Sequence, residues 1–426
     1  MRVSMLTCGT RGDTQPMTVL GAELRRRGHD VRIGASPNTL DQPRRCGFEV
    51  SPLGPDSQAV MESPEGRRWL ASGNVRAFTR ELTDISHATF PASVEEARET
   101  CAGADVLVAG ILAEDLVDAF AEMHDVPMVT LHSVPLRSTS AYPHPMVTTR
   151  RLPGPLNALT GVLFDTVWWR GARPDIESTR AGLGLPPART PLPRRRSAPD
   201  DVELQAYDAL LVPGLEWGPQ RPLVGFLTLD EELREALDET DLDPTLEDWL
   251  AAGDPPVFFG FGSMPIQDPP AIVRMISEVG RALGVRALVS AGWGRLAALE
   301  PDHPTVTVVG NLDHDAVLPR CVAAVHHGGA GTIAASLGAG IPTVVCSVFA
   351  DQPFWGARVV DRGVGAHLRF KDLDRESLES GLRAALSPDV RARAADLGSR
   401  LRSNRGAAQR AADAVEGAVE RHGRIG

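Results

Sequence analysis

The stretch Val322-Ala323-Ala324-Val325-His326-His327-Gly328-Gly329-Ala330-Gly331-Thr332 sets the fold class. Residues 322–326 are an apolar run ending in histidine, the pattern of a strand buried on both faces of a parallel sheet. The glycines stop that run, and a helical pattern follows. Strand, glycine turn and helix in this order form part of a βαβ unit. Such a corner attracts anions. Glycines let the backbone come close, the free N–H groups of the helix start point at the ligand, and the helix dipole adds to the pull. His327 and the backbone of Gly329, Ala330, Gly331 and Thr332 are candidate phosphate ligands, and His326 can offer a second ring N–H.

Outward from this corner the same alternation repeats. Residues 256–261, 286–290, 305–309 and 342–346 are four more strand-like runs, and 270–283 reads as a helix. The N-terminal half shows runs at 3–7, 31–35, 105–109 and 127–131, a helix over 15–27 that stops at Gly28, and a further strand expected at 208–212. With 426 residues the chain exceeds the roughly 250–300 that one core sustains. The expected architecture is α/β: two Rossmann-like, doubly wound domains facing each other across a cleft, with ligands at the carboxyl ends of the strands. Domains are expected at 1–213 and 255–405, with an acidic, Pro- and Gly-rich linker at 214–254 and a helical tail at 406–426. Residues 138–193 break the alternation and hold Tyr142, Phe164, Trp168 and Trp169, as a helical excursion with its own small core or a lid over an apolar ligand.

Three further segments carry candidate chemistry. Phe259-Gly260-Phe261-Gly262-Ser263-Met264-Pro265 is a second glycine turn after a strand, where Ser263 would add a hydroxyl to a phosphate site. Ala350-Asp351-Gln352-Pro353 lies beyond the next strand. Its Asp-Gln pair suits sugar hydroxyls, and Asp351 also suits a helix cap. Cys8-Gly9-Thr10-Arg11-Gly12-Asp13 closes the first strand, and Asp13 is either a helix cap or a general base at the cleft.

The spacing Gly329-x-Gly331-x-x-Ala334, with Asp351 twenty residues beyond Gly331, also fits a dinucleotide fingerprint, so a nicotinamide oxidoreductase is the rival reading. Two features weaken it. That fingerprint belongs after the first strand of its domain, and Asp351 falls in a loop beyond its strand. A non-catalytic two-lobed binding protein is the other alternative. Asp313-His314-Asp315 resembles a metal-binding triplet but precedes a helix, where it reads as a cap. Gly28-His29-Asp30 reads as a helix stop, and Arg194-Arg195-Arg196 as a solvated or donor-edge patch.

Net charge of −11 excludes a nucleic-acid footprint. Among the basic residues Lys371 is the single lysine. Five scattered cysteines, without a paired spacing, read as free thiols, and no His/Cys cluster calls for zinc. The chain opens directly on a core-like strand and contains no apolar run of about 18 residues, so a cytoplasmic protein without stable membrane insertion is expected.

Taken together, Gly9-Thr10-Arg11-Gly12-Asp13-Thr14-Gln15-Pro16, Gly262-Ser263-Met264, Ser290-Ala291-Gly292-Trp293-Gly294, His326 to Thr332 and Ala350 to Gly356 resemble the inverting nucleotide-sugar glycosyltransferases of the two-Rossmann, GT-B type. The closest likeness is to the bacterial branch acting on sterols, polyketides and glycopeptide antibiotics. The resemblance implies transfer of a hexose or deoxyhexose from a UDP- or dTDP-sugar to a small apolar acceptor, with no cofactor or metal. It implies that His327, Ser263 and the backbone of 329–332 hold the diphosphate. Asp351 and Gln352 would hold the sugar, while Trp293, Asn311 and Leu312 border the base. Asp13 stands where many plant relatives carry a histidine, so the His–Asp dyad of those enzymes is not expected here. The family's last helix crosses back to the first domain, which the helical tail here matches.

Overall fold

The computed structural model describes every residue except 73–74, 197, 199, 241, 263–267, 293–302, 311 and 426, and no side chain at 69–84, 86, 424 or 425. The chain divides into two compact units. One comprises Met1–Val60, Arg76–Leu233 and Gly406–Gly426, the other Met61–Val75 and Arg234–Arg405.

The first unit holds β1 (Arg2–Leu6), β2 (Asp30–Ala35), β3 (Glu49–Pro52), β4 (Val106–Gly110), β5 (Met128–His132) and β6 (Val202–Gln205). The second holds β7 (Val257–Gly260), β8 (Ala287–Ser290), β9 (Val306–Val309), β10 (Ala323–His326), β11 (Thr343–Ser347) and β12 (Gly365–Arg369). The sheet orders are β3-β2-β1-β4-β5-β6 and β12-β11-β10-β7-β8-β9, and all their pairings are parallel. Numbered within its own half, the second order is the first read backwards, and both are the doubly wound Rossmann arrangement. The order reverses between β1 and β4 in one sheet and between β7 and β10 in the other. Those switch points are where such sheets bind ligands.

Central strands are apolar throughout because helices cover both faces. In β4, β7, β8 and β10 every residue is buried. The first core gathers Leu6, Leu107, Ala109, Val117 and Phe120, and part of the second gathers Phe258, Leu288, Val317, Leu318 and Ala324. The cysteines are all free; four are buried and Cys8 is half-buried.

Several expectations are corrected. Residues 208–212 form no strand: Asp208 turns the chain, its carboxylate accepting from the Leu210 N–H at 2.7 Å. The last strand of that sheet is β6 instead. The first helix runs Arg11–Arg26, so Asp13 lies inside it and not before it. Arg195 and Arg196 are not a solvated patch. They converge on Asp118 at 2.8 and 2.6 Å and are 14% and 22% exposed. The irregular 138–193 stretch contains one long helix, Gly154–Gly182. The acidic stretch 214–254 is divided between the two units after Leu233.

The tail helix Ala407–Ile425 packs within the first unit through Ala411, Ala412, Val415 and Ala418, all fully buried. Arg27 reaches Asp413 and Glu416 at 2.7 Å each, and the His29 ring meets Glu416 at 2.8 Å. His29 thus does more than follow a helix stop. Val415→Asp should cost more than about 3 kcal/mol, because it buries a carboxylate without a partner. Asp413→Ala, whose side chain is 67% exposed, should cost less than about 1 kcal/mol. Urea titration of both variants checks the contrast.

Candidate active site

In the second unit, β10 delivers two histidines to the switch point with different fates. His326 is fully buried, accepts the Gly328 N–H on Nδ1 at 3.0 Å and turns Nε2 to Ser336 Oγ at 3.1 Å. Its ring is spent on holding the turn, so it is not available as a phosphate donor. His327 points the other way. Side chains at Gly262 or Gly329 would both come within 2.7 Å of its ring, so the imidazole lies clamped between two glycines. Burial pushes His327 down to about 4, against the Gly260 carbonyl, which works upward. At neutral pH the ring is therefore uncharged.

Gly329 is the N-cap of the helix Ala330–Gly338, which has no side-chain cap. Among the described residues no side chain takes up its first-turn N–H groups, which suit an external acceptor. A side chain at Gly331 would meet nothing within 4 Å, whereas one at Gly328, with φ +93°, would strike Val345 Cγ1 at 2.5 Å and approach the Gln352 carbonyl at 3.4 Å. The structure thus brings the histidine–glycine turn against the Asp351–Gln352 loop. It also brings the ends of β7 and β8 together, since a Gly292 side chain would lie 2.2 Å from the Gly262 carbonyl.

In the Asp351–Gln352 loop, Ala350 adopts φ +55°, a left-handed conformation that costs a residue with a side chain of order 1 kcal/mol or more. Asp351 makes no side-chain cap bond to the helix Gln352–Asp361 that it opens. Its Oδ2 accepts instead from the buried Trp355 indole at 2.9 Å. Gln352 is buried, and its Oε1 accepts from Val348 and Phe349 N–H at 2.8 and 3.3 Å, bracing the loop. Leu312 leans on the core around Phe258. Asp313 caps the short helix His314–Val317 and pairs with Arg234 at 3.0 Å. Ser263, Trp293 and Asn311 lie outside the described residues.

In the first unit, Asp13 closes a capping box. Its Oδ2 accepts from the Thr10 N–H at 2.8 Å and the Thr10 hydroxyl at 3.2 Å, and Thr10 in turn accepts from Gly12 N–H. Gly9, with φ +127°, is required, since a side chain there would lie 2.3 Å from Oδ2. Burial raises the Asp13 pKa, only partly offset by the two Thr10 hydrogen bonds. The helix start alone suggests a more acidic group; burial reverses that. Beside it, burial and the Asp13 and Glu96 carboxylates push the Cys8 thiol to about 12, so it stays protonated.

One buried network was not foreseen. At the carboxyl ends of β4 to β6, Glu114 pairs with His132 Nε2 and with Arg137 at 3.0 Å. Arg137 also reaches Glu203 at 2.6 Å, and Arg221 meets the same Glu203. Burial alone would raise Glu114, but Arg137 and His132 hold it down at about 2. Asp165 is pushed up to about 6, by burial first and then by Glu114 and Glu203. His132 Nδ1 is buried with no hydrogen-bond partner. The network's members come from different segments of the chain, so nothing local in the sequence marks them as partners.

Gly328→Ala should lower stability by more than about 2 kcal/mol, through steric overlap and forced positive φ. Gly331→Ala should leave stability equal or higher, because alanine favours a helix and nothing crowds it. Thermal melts of the two variants test this reading of the turn.

Comparison with known proteins agrees with the architecture. The glycosyltransferase family 28 N-terminal domain matches residues 3–131, and the erythromycin biosynthesis protein CIII-like C-terminal domain matches 294–416. An uncharacterized glycosyltransferase of Mycobacterium tuberculosis is 37% identical over 99% of this chain and 100% of its own length. A sterol 3-beta-glucosyltransferase of Arabidopsis thaliana is 32% identical over 96% of this chain and 64% of its own. Among solved structures, the calicheamicin glycosyltransferase CalG4 superposes with TM-score 0.68 at 20% identity, covering 99% of this chain and 98% of that one. The glycosyltransferase VinC in complex with dTDP gives 0.64 at 17%, covering 99% and 100%. The dinucleotide fingerprint therefore has another owner: its glycines follow the fourth strand of their sheet and close a glycosyltransferase's turn. The chain belongs to the GT-B glycosyltransferases, related to those that act in antibiotic and sterol glycosylation.

Proposed function

We propose that the protein transfers a hexose or deoxyhexose from a UDP- or dTDP-sugar to a hydroxyl of a small apolar acceptor, with inversion at the anomeric carbon. The observation that carries this is the uncapped helix Ala330–Gly338 with the neutral His327 ring held at its start. Open N–H groups and an uncharged imidazole suit a diphosphate whose charge grows as it leaves. A relative named for sterol glucosylation and a fold neighbour bound to dTDP support the substrate classes.

In the proposed step the acceptor oxygen bonds to the anomeric carbon as the bond from that carbon to the β-phosphate oxygen breaks. The electron pair leaves on the diphosphate. The acceptor proton passes to Asp13, whose Oδ1 carries none of the Thr10 hydrogen bonds. One displacement inverts the centre. Helix N–H groups and His327 take the part a metal ion plays elsewhere, so the reaction needs no cofactor. Asp351 and Gln352 hold the sugar, and the acceptor lies against the 138–169 segment. Ser263 is assigned to the diphosphate and Trp293, Asn311 and Leu312 to the base. A cytoplasmic location is part of this reading.

Release of nucleoside diphosphate, screened over UDP- and dTDP-sugars with a panel of apolar alcohols, tests the proposal; no release with any pair refutes it. His327→Ala should weaken diphosphate binding roughly ten- to a hundredfold. Because a bound anion raises the pKa of His327 from about 4, binding takes up a proton. The wild-type advantage over His327→Ala should therefore grow as pH falls from about 8 towards 6.

Asp13→Asn should lower turnover by roughly 10²–10⁴-fold at unchanged nucleotide affinity. The sign on stability is opposite. A carboxyl whose folded pKa is raised contributes stability only while protonated, and that contribution is lost as pH rises through the folded value. Above that folded value the buried carboxylate is a net cost, so there Asp13→Asn, which can keep the capping bond, should melt at or above the wild-type temperature. Fast turnover in that variant would leave Asp13 a cap alone.

A further inference from the structure

Among the described residues, five of the eight large apolar side chains that stay exposed lie on the helix Gly154–Gly182: Leu156, Leu159, Val162, Leu163 and Val167, between 39% and 57% exposed. Leu156, Leu159, Leu163 and Val167 follow at intervals of three, four and four, so they form one stripe along one face. At a rise of 1.5 Å per residue the stripe is about 16 Å long. The opposite face is already used: Asn157 and Gly161 are buried, and Phe164 stacks on His144 with ring centroids 3.9 Å apart. A helix apolar on both faces belongs in a core or against lipid, and here only one face has a core.

Charge says what covers the other. From Leu152 to Trp169 the single charged residue is Asp165, half-buried and pushed up to about 6 by burial. Exposed arginines stand at both ends, Arg150 and Arg151 before the stripe and Arg170 and Arg173 after it. Arg173 pairs with Glu177 at 2.6 Å, whereas Arg150 and Arg170 have no acidic partner among the described residues. Arg150 and Arg170 thus flank the stripe as exposed, unbalanced positive charges in a chain of net −11. A second copy is a poor occupant. Antiparallel packing would set Arg150 and Arg151 against the other copy's Arg170 and Arg173, and parallel packing would set each against its twin.

We propose that this helix face docks the protein on a lipid surface bearing anionic headgroups, lying in the interface with its leucines among the upper acyl chains and its terminal arginines on the phosphates. No helix among the described residues is long and apolar enough to cross a membrane, so the contact is peripheral. The inference goes beyond the transfer reaction and does not depend on the donor assignment. Vesicle binding without any substrate reads it out.

The full chain is sedimented with vesicles of phosphatidylcholine and of a phosphatidylcholine–phosphatidylglycerol mixture, at low and high salt. Binding to the mixed vesicles, weakened by salt, is expected. Replacing Arg150 and Arg170 by alanine should lower partitioning about fivefold for each, since an arginine near such a surface contributes about 1 kcal/mol. Leu159→Glu with Leu163→Glu should abolish binding while the melting temperature stays near wild type, both sites being more than half exposed. If that pair does not fold, the arginine variant and the salt response decide. No binding of the wild type to mixed vesicles overturns the proposal. So does full binding by the glutamate pair, or a wild-type dimer that this pair converts to monomer.

Discussion

The ring of His327 occupies space that side chains at Gly262 and Gly329 would fill, and the donor corner is built around that exclusion. Gly262 brings the end of β7 onto the ring and, through its carbonyl, meets Gly292 at the end of β8. Gly328 brings the turn onto Val345 of β11 and the backbone of Gln352. Four strand ends therefore meet closely: Gly262 and Gly329 against the His327 ring, Gly292 against the Gly262 carbonyl and Gly328 against the Val345 side chain. Such a corner holds its N–H groups on the sheet itself, which gives the preorganisation that electrostatic catalysis requires.

The two candidate groups are each held away from their charged forms. Burial lowers His327 in the second unit and raises Asp13 in the first, so each unit withholds solvation from the charged form of its own candidate group. Glu114 shows the contrast. It is more fully buried than either, but Arg137 and His132 satisfy it and keep it ionised. A compensated buried charge stabilises a structure. An uncompensated one costs stability and is retained where it does chemistry. By this criterion the half-buried Asp13 and His327 stand apart from the buried, mutually paired Glu114 network.

Much of this was legible in the sequence, for reasons that also explain the misses. Central strands such as β4 and β10 are buried on both faces, so they appear as unbroken apolar runs. The edge strands β3 and β12 are half-exposed and mixed in composition, and the sequence reading did not find them. Residues 208–212 mimic a strand because the turn there ends on Leu211 and Val212, both fully buried. The glycine corner was visible because its chemistry is contiguous. The ion network was not, because Glu114, His132, Arg137, Glu203 and Arg221 meet only after folding. The outer stripe of Gly154–Gly182 was hidden for another reason: composition does not tell a buried apolar face from an exposed one.

The shared strand order leaves open which helix of each sheet receives an anion, and capping decides it. After β1 the helix start is already filled by Thr10 and by the carboxylate of Asp13. After β7 the helix Pro269–Leu283 is capped by Asp268, whose carboxylate accepts from Ala271 at 2.9 Å. After β11 Asp351 stands at the N-cap, and its charge repels a phosphate even without a cap bond. After β10 the cap is Gly329, with no side chain at all, and the next residues are Ala330, Gly331 and Thr332. Of these four helix starts at the two switch points and beside them, only this one presents its dipole and its N–H groups uncompensated. At the proposed phosphate site the absence of an acid therefore counts as much as the presence of His327. On the first helix, by contrast, Asp13 fills the corresponding start with its own carboxylate.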